Sequence, residues 1–182
     1  MTGLGTSTAN RKTLASKVEK TSPLFRCLYG TKHGHQTCRC EAWLVPNRLD
    51  AVQSVRRVVG EALRGWGFDE ASLADVLLLT SEVVTNALVH GEPDVTCTIL
   101  GCEGCVTVSV VDHGDAEPRM PDSPLDVDAI LSCDGDDISL GGRGLALVHE
   151  LADRMGWHKF SDGGKEVWFT CRVEQPGGAY PP

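Results

Sequence analysis

The chain has 182 residues, 41% of them hydrophobic, and a formal net charge of −8 at pH 7. That length supports one domain with a real core plus a tail. No apolar run reads as long enough to span a bilayer and the N-terminus lacks the apolar stretch of a signal peptide, so a cytoplasmic protein without a membrane anchor is expected. The charge is uneven: residues 1–40 hold seven of the 17 Lys/Arg and one of the 25 acidic side chains, which leaves an acidic body ill suited to direct nucleic-acid binding, where clustered cations meet phosphates.

Residues 1–40 lack apolar periodicity, are rich in Ser, Thr, Gly and Lys, and read as a mostly disordered basic tail. Within it, "HGHQTCRC" gathers His33, His35, Cys38 and Cys40. These are zinc-ligand types, but their spacing matches no standard finger, and metal binding there stays open. The domain is expected over 41–174, with 175–182 as a flexible C-terminal tail. "EAWLV" reads as an edge strand ended by Pro46. Leu49, Val52, Val55, Val59, Ala62, Leu63 and Trp66 recur at helical spacing and predict a first amphipathic helix, closed by Gly65 and Gly67. A second helix is expected to open at "SLAD", where Ser72 and Asp75 resemble a capping box, and to run to His90 before Gly91 and Pro93.

Two strands follow, "DVTCTIL" and "CVTVSVVD", rich in Val and Thr and joined by the turn "GCEG". Cys102 and Cys105 have C-x-x-C spacing there, which a plain hairpin turn explains without a second ligand pair. The eight cysteines are otherwise scattered. Cys97, Cys105 and Cys171 lie in apolar runs and read as small buried hydrophobes; in a reducing cytosol disulfides are not the default. A long stretch from His113 to Leu140, rich in Asp, Pro and Gly, reads as a functional lid. "GRGLALVHELADRM" is a further helix, and "EVWFTCRV" is a final strand.

Three features carry chemistry. On the second helix, Glu82 and Asn86 are four residues apart and His90 four further, with Asp75 on the same side, so a polar stripe runs along an otherwise apolar helix. Such a stripe is ordinarily a solvated face. "VSVVDHG" places Asp112 at a strand end with Gly114 two residues on, where a carboxylate can accept the exocyclic amine of adenine. "LGGRGLALV" opens a helix with Gly141, Gly142 and Gly144, whose bare backbone N–H groups and helix dipole suit phosphate, and Arg143 adds a cation. Asn86 supplies a neutral oxygen suited to Mg2+ that bridges phosphates, and Glu82 can take a proton from an attacking hydroxyl.

In this order, E-x-x-x-N on a helix, D-x-G after a strand and G-x-G-L opening a helix resemble the N box and the two G boxes of the Bergerat-fold ATPases, which include histidine kinases and gyrase-type topoisomerases. "LLLTSEVVTNALVHG", "GGRGLALVHELADRMGW" and "GGKEVWF" are similar to the anti-sigma-factor serine kinases of the RsbW/SpoIIAB type, in their actinobacterial regulator branch, over about Trp43 to Val173. The resemblance implies an α/β two-layer sandwich, a mixed and mainly antiparallel sheet with helices on one face, binding ATP and Mg2+. It implies Glu82 as general base, Asn86 as Mg2+ ligand and Asp112 as adenine reader, with Gly114 shaping the adenine pocket and Gly142, Arg143, Gly144 and Leu145 around the phosphates. It further implies a sigma factor and a STAS-domain antagonist as partners, phosphorylation of a serine on that antagonist, and a homodimer.

The chain departs from the pattern in three places. Asp115 stands where the superfamily often has a second glycine, and its side chain is expected to crowd the adenine pocket. The threonine usual on the last strand near adenine is replaced by Lys165 or Glu166. The lid carries Asp115, Glu117, Asp122, Asp126, Asp128, Asp134, Asp136 and Asp137 against Arg119, a like-charge cluster expected to weaken triphosphate binding unless Mg2+ neutralises it. These departures keep open a non-enzymatic reading, a protein-binding switch with ATP as a slow structural ligand or absent. A histidine-kinase catalytic domain acting in trans is the third reading.

Overall fold

The computed structural model describes residues 38–118, 144–161 and 163–174. Strand β1 (Arg39–Leu44) leads into helices α1 (Ala51–Gly65) and α2 (Glu70–His90). Strands β2 (Thr96–Cys102) and β3 (Cys105–Asp112) follow, then helix α3 (Gly144–Leu151), β4 (Arg154–Lys159) and β5 (Lys165–Arg172). The five strands form one sheet in the order β1-β2-β3-β5-β4, and every ladder between them is antiparallel. The two-layer α/β arrangement is as expected. The parallel component of a mixed sheet is not found among the described strands.

Val106, Val108 and Val110 of β3 and Val167, Phe169 and Cys171 of β5 share a core with Val55, Val59 and Leu63 of α1 and Leu73, Val76, Leu79, Val83 and Val84 of α2. Alternate residues of a strand point to opposite faces, so Ser109 and Glu166 belong to the other face while Asp112 and Lys165 belong to the helix side. α2 lies between α1 and α3 and packs on β3 and β5. Its length and apolar composition alone meet the test for a membrane span, against the expectation that no segment does; its buried Leu73, Val76, Leu79, Val83, Val84 and Ala87 instead make it the core helix of the sandwich.

Several boundaries differ from the sequence reading. The strand expected from Glu41 starts at Arg39, so the basic tail ends before residue 40. Leu49 precedes α1 and is exposed. α1 ends in paired hydrogen bonds, from Gly67 N–H to Arg64 O at 2.9 Å and from Phe68 N–H to Leu63 O at 3.2 Å, the Schellman pattern. The Ser72 capping box does not form. Asp69 is the N-cap, its carboxylate accepting from Ala71 N–H at 3.0 Å, while Ser72 Oγ accepts from Glu174 N–H. Asp69 wins because it already precedes the first turn in extended backbone.

The helix expected over 142–155 stops at Leu151, and Arg154–Lys159 form β4, which was not foreseen. Cys97 and Cys171 are buried as read, but Cys105 is half-buried. The expectations for residues 1–37 (His33 and His35 included), for the lid beyond Pro118, for Gly141, Gly142 and Arg143, and for 175–182 lie outside the described residues.

Leu79 is wholly buried in the middle of α2. Its replacement by Ala removes buried methyl groups and leaves a cavity, so Leu79→Ala is expected to destabilise the domain by about 3 kcal/mol, measured as a lower urea midpoint with an unchanged slope.

Candidate functional site

The C-terminal half of α2, the end of β3, the start of β5 and the first residue of α3 come together at one end of the molecule. At its centre is Asp112, the last residue of β3 and 1% exposed. Its Oδ1 accepts two hydrogen bonds, from Gly114 N–H at 2.8 Å and from the Lys165 ammonium at 2.8 Å. Lys165 Nζ also donates to the Gly114 carbonyl at 3.2 Å, and the lysine is 2% exposed. The ladder sets Lys165 directly opposite Asp112, so the ion pair closes the last rung between β3 and β5. Asp112 Oδ2 is buried and has no hydrogen-bond partner, a rare condition for a carboxylate oxygen.

Two glycines make the assembly possible. A Cβ on Gly91, the C-cap of α2, would lie 2.5 Å from Asp112 Cγ and 2.4 Å from the Ala87 carbonyl; only a bare Cα lets the helix end rest on the carboxylate. A Cβ on Gly144, which opens α3, would lie 2.6 Å from Glu82 Oε2. The structure therefore brings the α2 carboxylate against the glycine that begins α3, two residues that are 62 apart in the chain.

Glu82 and Asn86 are both half-buried on α2, one turn apart and on one side. His90 is exposed at the helix end. Asp75, expected on the same stripe, sits about two turns before Glu82 and lines a different cleft of about 550 Å³ with Ser72, Gly104, Leu151, Asp153 and Arg172. That cleft is at the hairpin end of the sheet, away from Asp112. Leu145 has its side chain in the core. Gly114 packs against Gly91, where an added Cβ would come within 3.0 Å of the Gly91 Cα.

Asp115 does not crowd Asp112. Its side chain is turned outward in an exposed ion pair with Lys159 at 3.0 Å. Of the two residues considered for the threonine position, Lys165 is the one at the site. Glu166 points to the opposite face, where Ser109 Oγ donates to its Oε1 and His158 Nδ1 lies 3.2 Å from its Oε2. The Lys165–Asp112 pair was missed by sequence reasoning. A lysine opening the core strand "KEVWF" was its signal, because a charge in a core strand needs a partner.

A family model described as the histidine kinase-like ATPase domain matches residues 45–171. The chain belongs to the histidine kinase-like ATPase domain family. Over 106 residues it is 32% identical to the sensor histidine kinase component HK1 of Mycobacterium tuberculosis, a match that takes in 54% of this chain and 61% of that protein. Its fold is similar to the crystal structure of the RsbU and RsbW domains of Rv1364c from the same species, with a TM-score of 0.53 at 22% identity, covering 76% of this chain and 33% of that one.

The chain thus spans less than two thirds of either relative, and the structural likeness speaks for fold alone. The membership of the histidine kinase-like (Bergerat-fold) ATPase domains expected from the sequence is borne out. As a histidine kinase-like ATPase domain the chain is an ATP-binding module.

Removing one partner of a buried ion pair leaves an uncompensated charge in a dry site. Lys165→Met is therefore expected to cost about 3–5 kcal/mol of unfolding free energy, read from urea denaturation. The double variant Lys165→Met/Asp112→Asn is expected to regain a large part of that loss.

Proposed function

We propose that this chain is an ATP-dependent regulatory kinase of the anti-sigma-factor type, transferring phosphate to a serine of a STAS-domain antagonist and binding a sigma factor through the same domain. The observation that carries the reading is the buried Oδ2 of Asp112, which has no hydrogen-bond partner, at the end of β3. With Oδ1 held by Gly114 and Lys165, Oδ2 is the acceptor for the adenine amine.

Asn86 would hold Mg2+ through its side-chain oxygen, and this ion supplies charge neutralisation on the phosphates. Glu82 takes the proton of the attacking serine hydroxyl. Its place beside Gly144 puts that base next to the backbone N–H groups that open α3, where a helix N-terminus favours phosphate oxygens. Gly142 and Arg143 extend the same phosphate contacts, and Leu145 contributes through its backbone. The RsbU and RsbW domains of the structural neighbour support a partner-switching role, and a homodimer and a cytoplasmic setting fit such a regulator.

A second reading, a non-enzymatic switch that binds its partner without transferring phosphate, draws on Lys165. A cation on Asp112 where the superfamily has threonine alters the adenine end of the site.

Calorimetric titration of Mg-ATP into the wild type is expected to give micromolar binding that Asn86→Ala abolishes. Glu82→Gln is expected to retain binding and to lower phosphoserine formation on the cognate STAS protein by roughly 100-fold or more. Binding without transfer in the wild type selects the switch. No binding to folded wild type overturns both the kinase and any ATP-gated reading.

A further inference from the structure

The sequence holds two sulfur pairs that look idle when read separately: Cys38 and Cys40 as C-x-C, and Cys102 and Cys105 as C-x-x-C. The sheet brings them together. β1 and β2 run antiparallel with Cys40 opposite Leu100 and Arg39 opposite Gly101. One further step in that register sets Cys38 opposite Cys102, and Cys102 is in turn the ladder partner of Cys105. Cys38, Cys40, Cys102 and Cys105 therefore share one face at the hairpin end of the sheet, packed around Leu100. The two cysteines left open as zinc ligands and the two assigned to a plain turn are one cluster.

Within it, the Cys38 and Cys102 sulfurs are 2.6 Å apart. This is far inside the separation of two unbonded thiols and about half an ångström beyond a disulfide bond of ~2.05 Å. The backbone agrees independently. Directly opposed residues of an antiparallel pair have Cα atoms roughly 4.5–5.5 Å apart, inside the range of roughly 4.4–6.8 Å that a disulfide bridges.

We propose that Cys38 and Cys102 are a site of oxidative modification, forming an intrachain disulfide that fastens the start of edge strand β1 to the end of β2. With hydrogen peroxide as oxidant, one thiol, as its thiolate, attacks a peroxide oxygen, giving a sulfenic acid and hydroxide. The second thiolate attacks that sulfur and expels hydroxide as the S–S bond forms. Two thiols lose two electrons and two protons, and the peroxide leaves as two waters.

The link joins positions 64 residues apart, so it withdraws freedom from the unfolded chain and secures a strand at the margin of the described sheet. It lies about 24 Å along β3 from Asp112, by the rise of an eight-residue strand, and does not depend on the nucleotide reading. Cys97 and Cys171 are unsuited to the same chemistry. Burial pushes both thiols up to about 12, and a protonated thiol is a poor nucleophile.

The test treats the full chain with stoichiometric hydrogen peroxide, blocks remaining thiols with iodoacetamide without reductant, digests, and maps the peptides by mass spectrometry. The expected product is a peptide pair joined through Cys38 and Cys102, formed at a rate independent of protein concentration. It is absent from Cys38→Ser and Cys102→Ser and unchanged in Cys97→Ser. The oxidised wild type is expected to melt several degrees above the reduced form, with no such shift in Cys38→Ser. The proposal is overturned if both residues are recovered alkylated, if either is joined instead to another cysteine, or if the purified chain carries stoichiometric zinc that shields both thiols. The wild-type peptide map decides the matter even if a serine variant fails to fold.

Discussion

A lysine and an aspartate, both almost free of solvent, meet at the last rung of the β3–β5 ladder, and this end of the domain is arranged around them. Two charges withdrawn from water lose hydration worth several kcal/mol each, which their mutual attraction offsets only with close contact and further hydrogen bonds. Here the contacts are close. Asp112 Oδ1 also accepts from Gly114 N–H, and Lys165 also donates to the Gly114 carbonyl. The loop leaving β3 is thereby tied to both members of the pair, and its first turn is set by the same carboxylate that presents a spare oxygen.

The pair also explains why α2 ends where it does. The helix cannot carry a side chain at Gly91 without striking Asp112. From that fixed end, the helix geometry sets Asn86 and Glu82 at one and two turns' remove, and Glu82 reaches the start of α3. Helix end, strand end and the start of α3 thus meet through close contacts of Gly91 with Asp112 and of Gly144 with Glu82.

Much of this was legible from the residues. The apolar period of α1 and α2, the valine-rich hairpin and the three ordered motifs depend on local pattern, and local pattern survives in a linear reading. What escaped depends on partners distant in sequence. Arg154–Lys159 became a strand because β5 offered a free edge, although the preceding helical pattern ran on through Met155. Ser72 lost the capping position to Asp69 and bonded to Glu174 at the far end of the domain. Lys165 looked like a departure from a family pattern until its partner on β3 was in view, and Asp115 looked obstructive until Lys159 drew it outward.

The order of the strands has a consequence for how such a chain behaves among its own copies. Among the described strands the margins of the sheet are β1 and β4, and a margin is where a foreign strand can add. β4 begins with Arg154 and ends with Lys159, both exposed, and β1 begins with Arg39 beside Glu41. Drawing a second β4 alongside would bring like cations together and strip their water, a device that keeps edge strands from templating aggregation. β2 and β3, rich in β-branched residues, are kept in the interior of the described sheet, between margins that carry charge.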